Sequence, residues 1–489
     1  MDRGKIEDIV AGQKKYFRSG ATKDKTFRKD CLNRLKRNIM AMEAEIASAL
    51  TDDLGKSATE SYMTETGMVL ESVRYMSRNL DRLSRPYRAK VSMAQFPGKA
   101  RIYPEPYGNT LIISPWNYPL LLALDPLIAA VAAGNCCIVK PSEYAPETGR
   151  LLCRLIESTF DKGHVAVIEG DAATGDALLD CRFDYIFFTG GEKVGRIVLE
   201  KAARHLTPVT LELGGKSPAI VLKDADIETA ARRIAFGKLL NCGQTCVAPD
   251  YLLIEKGCKE RFIEAFIREA SKMYGDNPLE NPDYGKIINR RHFDRLSRYI
   301  ESAETYWPGH DKRDMHDNRT GENNPGLGGN RSGGRIIFGG KRDPERLKIA
   351  PTLIDCITPE AGIMQEEIFG PILPVMEVGS AEEAIRYVNS GKKPLAAYIF
   401  TENSRLAKKL IHEIPFGGGC VNDTMMHLAS TRLPFGGVGE SGMGMYHGKW
   451  GFDTFTHYKS VLHKSALTDP PVRYAPYGGL KSWLIRKML

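Results

Sequence analysis

Several things are scarce or missing in this chain of 489 residues. Its opening, MDRGKIEDIV, has no apolar core and no cleavage site, so no secretory signal is read there. The longest apolar stretch, YPLLLALDPLIAAVAAGN at 118–135, is interrupted by Asp125 and Pro126. It is too short and too broken to span a bilayer and reads as a buried core helix. The basic, amphipathic KSWLIRKML at 481–489 reads as a docking tail, not a stable membrane anchor. A strong charge of one sign is also missing. The net charge of +8 is mild for 54.3 kDa, and Lys and Arg alternate with Asp and Glu along the chain. That excludes a nucleic-acid signature while leaving anionic ligands open. No GxGxxG occurs at the strand–helix turns considered below. The 10 cysteines include no spaced Cys/His set of the kind zinc needs, so no metal is expected. Without a secretory signal the expected compartment is cytoplasmic and reducing, with free thiols.

What is present is an alternation of strands and helices. Residues 5–85 carry helical stripes, among them Leu32, Leu35, Ile39, Met42 and Ile46, read as one helix ending near Gly55 and serving as a packed cover. From 109 to 223 come NTLIIS, CCIVK, VAVIEG, DYIFFTG, PVTLEL and PAIVLK, mostly with helical segments between them. Continuous apolar strands between helices predict a parallel sheet covered on both faces, a doubly wound α/β domain that binds ligands at its strands' carboxyl ends. A second α/β domain is expected beyond it. Between 86 and 105 lie two polar, strand-like arms around Pro97-Gly98, expected to project from the body. Segment 307–334 has almost no apolar residues and is expected to be a flexible insertion.

Five short segments carry candidate chemistry. In LLNCGQTCVAPDY, Cys242 precedes the helix-stopping Gly243 and fits packing. Cys246 follows the break, where free N–H groups favour an anion, so either an inert thiol or a nucleophile with a lowered pKa is open. In PVTLELGGKSP, Glu212 is a lone carboxylate on an apolar strand, either a cap or a poised base. Asn117 in ISPWNYP is a turn residue or an oxyanion donor. Lys140 and Glu143 in VKPSE stand at a strand end and suit a ribose. Gly190, Gly191 and Gly195 in FFTGGEKVG link a strand to a helix N-terminus that suits a pyrophosphate.

Taken in order, PWNYP, KPSE, FTGG, LELGGKSP, GQTC, EEIFGP (366–371) and PFGGVGESGMG (434–444) resemble the aldehyde dehydrogenase superfamily over about residues 5–460. YGKIINRRHF, APDY and YHGKWGFDTFTHYKS resemble its class 3 branch of fatty and aromatic aldehyde dehydrogenases. The resemblance implies a Rossmann-like NAD-binding domain (1–85 and 106–214) and a catalytic domain (215–438). It also implies a small β-arm for oligomerisation, with the tail (86–105 and 439–489). It implies oxidation of an aldehyde to the acid, with Cys246 as nucleophile and Glu212 as general base. Asn117 and the Cys246 N–H would hold the oxyanion. Lys140 and Glu143 resemble the adenosine-ribose contacts, and Glu367 and Phe369 the nicotinamide-ribose contacts. Glu143 should repel a 2′-phosphate, so NAD is the expected cofactor, with NADP possible in this branch. The implied partners are a small aldehyde and a second copy of the chain. Two departures stand out: Gly191 occupies a position where the family usually has Ser, and the insertion is not part of the usual pattern. The alternatives are a CoA-acylating dehydrogenase, which generally lacks the Glu, and a non-catalytic member, which would be expected to have lost Cys246, Glu212 or Asn117.

Overall fold

The computed structural model describes residues 2–304, 334–467, 469 and 471–488. The expected insertion at 307–334 lies outside these residues except for Gly334. Among the described residues the strands form two large sheets, an antiparallel arm and a two-residue ladder.

The first sheet runs in the order Gly442–Met443, Val209–Glu212, Tyr185–Thr189, Asn109–Ile113, Cys136–Lys140, Val165–Val167. Its last five strands are parallel. Order along the chain reverses between Asn109–Ile113 and Tyr185–Thr189, which is the switch point where such sheets open a crevice. The apolar helix Leu121–Ala133, with Pro126 inside it, lies almost wholly buried against this sheet, as its composition requires. Gly442–Met443 is a correction. Read on sequence as part of the arm and tail, it adds antiparallel to the edge of this sheet, pairing Gly442 with Glu212.

The second sheet runs Arg335–Phe338, Thr352–Asp355, Ile372–Val378, Tyr251–Glu255, Pro218–Val221, Ala396–Phe400, Gly418–Val421. It is parallel apart from Arg335–Phe338 at one edge. Pro218–Val221, which continues the alternation begun at 109, therefore belongs to this sheet.

The arm differs from the sequence reading in having three strands. Tyr87–Ala89 pairs with Gly98–Pro106, and Gly98–Pro106 pairs along its whole length with Thr456–Lys464. The two polar strands are joined through a single turn of 3₁₀ helix, Met93–Gln95, started by Ser92. The N-terminal stripe also differs. It is two helices, Lys25–Ala41 and Glu43–Leu54, broken at Met42, with left-handed Gly55 closing the second. The apolar faces of both still meet the core through Leu32, Leu35, Ile39 and Ile46.

Candidate active site

The carboxyl edge of the first sheet sets out the sequence candidates in a row. Register places Lys140 beside Ile113, Ile113 beside Phe188, and Thr189 beside Glu212. Neighbouring strands lie about 4.8 Å apart, so Lys140 and Glu212 are separated by roughly 14 Å along that edge. Lys140 is buried, and its Nζ donates to Glu143 Oε2 at 3.1 Å and to the Pro141 carbonyl at 3.1 Å. Gly191 caps the helix Glu192–Ala203, and a Cβ built on it would meet nothing within 4 Å. That N-terminus faces open space, a favourable seat for an anion. Gly190 and Gly195 are more tightly surrounded. A Cβ on Gly190 would come within 2.6 Å of Phe188, and one on Gly195 within 2.7 Å of Leu213. The first lets the turn fold over the Phe188 ring, and the second lets the helix lie close to Leu213.

Glu212 ends its strand buried, at 2 % exposure, and neither carboxyl oxygen has a hydrogen-bond partner. Burial alone pushes its pKa well up from the ordinary carboxyl range. Glu367 lies beside it over Gly214, where a Cβ would come within 2.1 Å of Glu367 Oε2. Burial and the charge of Asp250 raise the Glu367 carboxyl to about 8, and its Oε1 has no partner. Phe369, with a left-handed φ of 51°, sets its ring edge-on to Trp116 at 5.3 Å.

The cysteine segment is built on an unusual turn. The helix Ile227–Leu239, N-capped by Asp226, ends four residues before Gly243. The chain then runs left-handed through Asn241 (φ 52°), Cys242 (φ 51°) and Gly243 (φ 71°). At Gly243 only glycine fits, since a Cβ would meet the Gly370 carbonyl at 2.3 Å. Non-glycine residues in this region are strained, so the turn must be over-determined by its surroundings. It is. The Asn241 N–H donates to Glu60 Oε1 at 2.8 Å, and Asn241 Nδ2 donates to the Asn117 carbonyl at 2.8 Å. Gln244 Nε2 donates to the Asn241 and Lys286 carbonyls, and its Oε1 accepts from Ile288 N–H at 3.0 Å. Asn117 Nδ2 donates to the Gln244 carbonyl at 3.0 Å, which holds that amide against the loop carrying Cys246. Tyr118 and Thr245 hydroxyls are 2.6 Å apart.

Beneath this lies a fully buried ion pair, Lys56 Nζ to Glu65 Oε1 at 2.5 Å. Lys56 also reaches the Asn117 carbonyl, and Glu65 Oε2 accepts from the Leu120 and Leu121 N–H groups at 2.8 and 3.1 Å. The sequence reading missed Lys56, Glu60 and Glu65 because it took residues 5–85 as a cover with its polar side chains in water. The available signal was the GKS break after Leu54, which ends one helix and turns the next polar run inward.

Cys242 is buried against Tyr284 and Gly285 and fits the packing role. Cys246 is partly exposed and faces both Glu367 and Glu212. The expected lowering of its thiol pKa is not found. Burial and those two carboxyls push it up, and the N–H groups of Cys246 and Val247 only partly counter them. The site therefore gathers Cys246, Glu212, Glu367, Phe369 and Asn117, with Lys140 and Glu143 three strands away along the same edge. A further buried cation, Lys238, sits under the turn. Its Nζ has no hydrogen bond, lies 4.0 Å from Asp250, and is pulled down to about 8 by burial. Among the described residues no cluster of metal-ligating side chains is found and no helix is long and apolar enough to cross a membrane.

The sequence model of the Aldehyde dehydrogenase family matches residues 1–307 and 328–461. The chain is 44% identical over 474 residues to 4,4'-diaponeurosporen-aldehyde dehydrogenase of Staphylococcus aureus, covering 97% of each. It is 41% identical over 481 residues to aldehyde dehydrogenase family 3 member A2 of Mus musculus, covering 98% of this chain and 93% of that one. Among solved structures, the substrate-bound state of Staphylococcus aureus AldH superposes with a TM-score of 0.91 at 43% identity, covering 99% of both chains. An indole-3-acetaldehyde dehydrogenase complexed with NAD+ gives 0.83 at 28% identity, covering 95% of this chain and 90% of that one.

Proposed function

Because this chain belongs to the aldehyde dehydrogenase family, and is an enzyme that oxidises aldehydes with a nicotinamide cofactor, we propose that Cys246 is its nucleophile, Glu212 its general base and Asn117 its oxyanion donor. The observation that carries this reading is the convergence of Glu212 and Glu367 on one partly exposed thiol, with the Asn117 amide tied to the same loop.

The residues present fit NAD. Glu367 Oε1 is an acceptor without a donor, which a ribose hydroxyl would satisfy. The open helix N-terminus at Gly191 suits the pyrophosphate. Lys140 and Glu143 offer a donor and an acceptor to the second ribose, and the Glu143 charge favours NAD over NADP. Cys246 Sγ attacks the aldehyde carbon and forms a thiohemiacetal. Its oxygen is held by the Asn117 amide and the Cys246 N–H. NAD, when bound, accepts the hydride that leaves this carbon, and a thioester on Cys246 remains. Glu212 takes a proton from water, whose oxygen adds to the thioester carbon, and the acid departs as the C–S bond breaks. A carboxyl with raised pKa and no competing partner is suited to that task.

The substrate class favoured is an aldehyde with an apolar body, in keeping with the likeness to 4,4'-diaponeurosporen-aldehyde dehydrogenase and to the class 3 branch. We further read 1–85 with 106–214 as the cofactor domain, 215–438 as the catalytic domain, and the arm as the contact of a homodimer. Ten free thiols are consistent with a reducing, cytoplasmic setting. The test is a pair of variants. Cys246→Ala should abolish NADH production from aldehydes while NAD affinity and melting temperature hold, and Cys242→Ala should keep substantial turnover. The inverse result would overturn the assignment. Thioester transfer to added CoA, in place of release of the acid, would favour the acylating alternative.

A further inference from the structure

The segment that carries Cys246 does not end at the thiol. Four residues on stands Asp250, a carboxylate 3 % exposed that the reaction described above does not use. The link between the two is stiff. A turn closes it through the Ala248 N–H on the Thr245 carbonyl at 3.0 Å, the Tyr398 hydroxyl donates to the Val247 carbonyl, and Pro249 fixes its own φ. The Asp250 N–H donates to the Ser217 carbonyl at 2.7 Å, which anchors the far end beside the strand Pro218–Val221.

The Asp250 side chain reaches the stretch that holds Glu367 and Phe369. Its Oδ1 accepts from the Ile368 N–H at 3.1 Å, and its Oδ2 from Lys216 Nζ at 2.7 Å. Lys216 Nζ also donates to the Ile363 and Glu366 carbonyls, at 2.8 and 3.1 Å. Arg295 takes the next two carbonyls, Glu367 at 3.2 Å and Ile368 at 2.5 Å. The backbone from Glu366 to Ile368 is thus held by four bonds from three charged side chains. Phe369, next along, has its left-handed φ of 51°, a conformation that persists only where the surroundings impose it. Arg295, on the helix Arg290–Glu304, shares no segment with the thiol. Asp250 does.

We propose that Asp250 is a positioning residue for hydride transfer: through Ile368 and Lys216 it fixes the Glu367–Phe369 stretch, and with it the nicotinamide ribose, at a set distance from Cys246. This rests on the reading of Cys246 as nucleophile and of Glu367 and Phe369 as nicotinamide-ribose contacts. Reacting atoms must be held about 3–3.5 Å apart and aligned, and a 1 Å misplacement can cost about 10²-fold in rate. One stiff piece of chain that bears the thiol at one end and grips the ribose stretch at the other supplies that tolerance.

The test is Asp250→Asn, with Lys216→Met added in a second variant so that this cation is not left stranded. Each is read by melting temperature, by NADH binding through nicotinamide fluorescence, by alkylation of Cys246 with iodoacetamide in the absence of cofactor, and by the isotope effect of a C1-deuterated aldehyde on kcat. Both variants should bind NADH about tenfold more weakly, the equivalent of one displaced hydrogen bond. Their kcat should fall about 10²-fold and its isotope effect should rise, because hydride transfer becomes limiting, while alkylation keeps the parent rate. The double variant should regain melting temperature without regaining NADH affinity. If affinity and isotope effect return with the melting temperature, Asp250 is only structural and the proposal is overturned. Alkylation slowed as much as kcat would overturn it too, by placing the effect at the thiol. Glu367→Gln, run alongside, separates the two levels. If it binds NADH like the parent, the ribose reading fails and the proposal with it. If it weakens NADH binding and Asp250→Asn does not, the proposal alone fails.

Discussion

Two layers of polar groups meet at Cys246, and they are built on opposite principles. The lower layer, Lys56, Glu60, Glu65 and Gln244, is buried and bonded to specific partners. The upper layer, Glu212 and Glu367, keeps carboxyl oxygens that nothing in the chain satisfies. Buried polar atoms without partners are costly, so proteins keep few of them. The difference separates two jobs. Satisfied groups fix a shape, and unsatisfied ones wait for a reactant or cofactor to complete them.

The comparison breaks most severely if the lower layer is cut. Lys56→Met leaves Glu65 charged, buried and unpaired, and should cost about 3–5 kcal/mol of stability. Turnover should be lost with the Asn117 carbonyl contact, and denaturant melts of the variant would check the magnitude. If Lys56→Met were as stable as the parent, the lower layer would not be structural.

Next comes the upper layer. Glu212→Gln should lower steady-state turnover by about 10²–10⁴-fold, the usual range for a general base. It should leave a burst of NADH near one per site, because deacylation suffers more than acylation. Stability should hold or rise, since a costly buried carboxyl is removed. Equal loss of burst and steady state would instead place Glu212 in thiol activation. The pH profile carries the same distinction. A base must be deprotonated to act, and both Glu212 and Cys246 titrate above their ordinary values. So kcat should climb with pH on the alkaline side, and the Gln variant should lose the part of that climb due to Glu212.

Lys238 sharpens the comparison, because it is unsatisfied but sits under the turn, with Asp250 and Glu367 as its acidic neighbours. Its amine is held down to about 8, so folding is penalised while the pH lies below its unfolded value of 10.5. Lys238→Met should therefore raise stability near neutral pH, by about 1–3 kcal/mol. A loss would show that its charge supports Asp250.

The smallest effect is a control far from the site. His164 is buried among Tyr16, Phe27 and Phe160, with its pKa lowered from 6.5 to about 4. It is neutral when folded and takes a proton only on unfolding. Its cost is thus absent above the unfolded value and grows as pH falls from 6.5 toward 4. His164→Phe should remove about 1 kcal/mol of acid destabilisation near pH 5.5, read as the difference between the two melting curves across that window.

Much of this site was legible without coordinates. Lys140, Gly191 and Glu212 each sit where an apolar strand gives way to Gly, Pro or a helix start, and strand ends are where parallel sheets present ligands. What stayed hidden depends on distance along the chain. Thr456–Lys464 joins a strand some 350 residues earlier, and Gly442–Met443 joins Val209–Glu212, pairings that local periodicity cannot carry. Glu60 and Glu65 sit on helices whose polar positions look like solvent positions, and only the arrival of Asn241 and Leu120 turns them into buried partners. The direction of the Cys246 shift was missed because it comes from burial and, after that, from two carboxyls on other segments.

The left-handed run Asn241–Gly243 bears on portability. Its three conformations are held by Glu60, Asn117, Lys286, Ile288 and Gly370, contributed by four separate stretches of chain. The heptapeptide LNCGQTC therefore does not contain its own geometry. Grafted onto another helix end it would relax to ordinary backbone angles and present Cys246 in a different direction. Anyone transplanting this nucleophile must carry over the buried floor as well, and homologous exchange of the cysteine loop will succeed only where that floor is already in place.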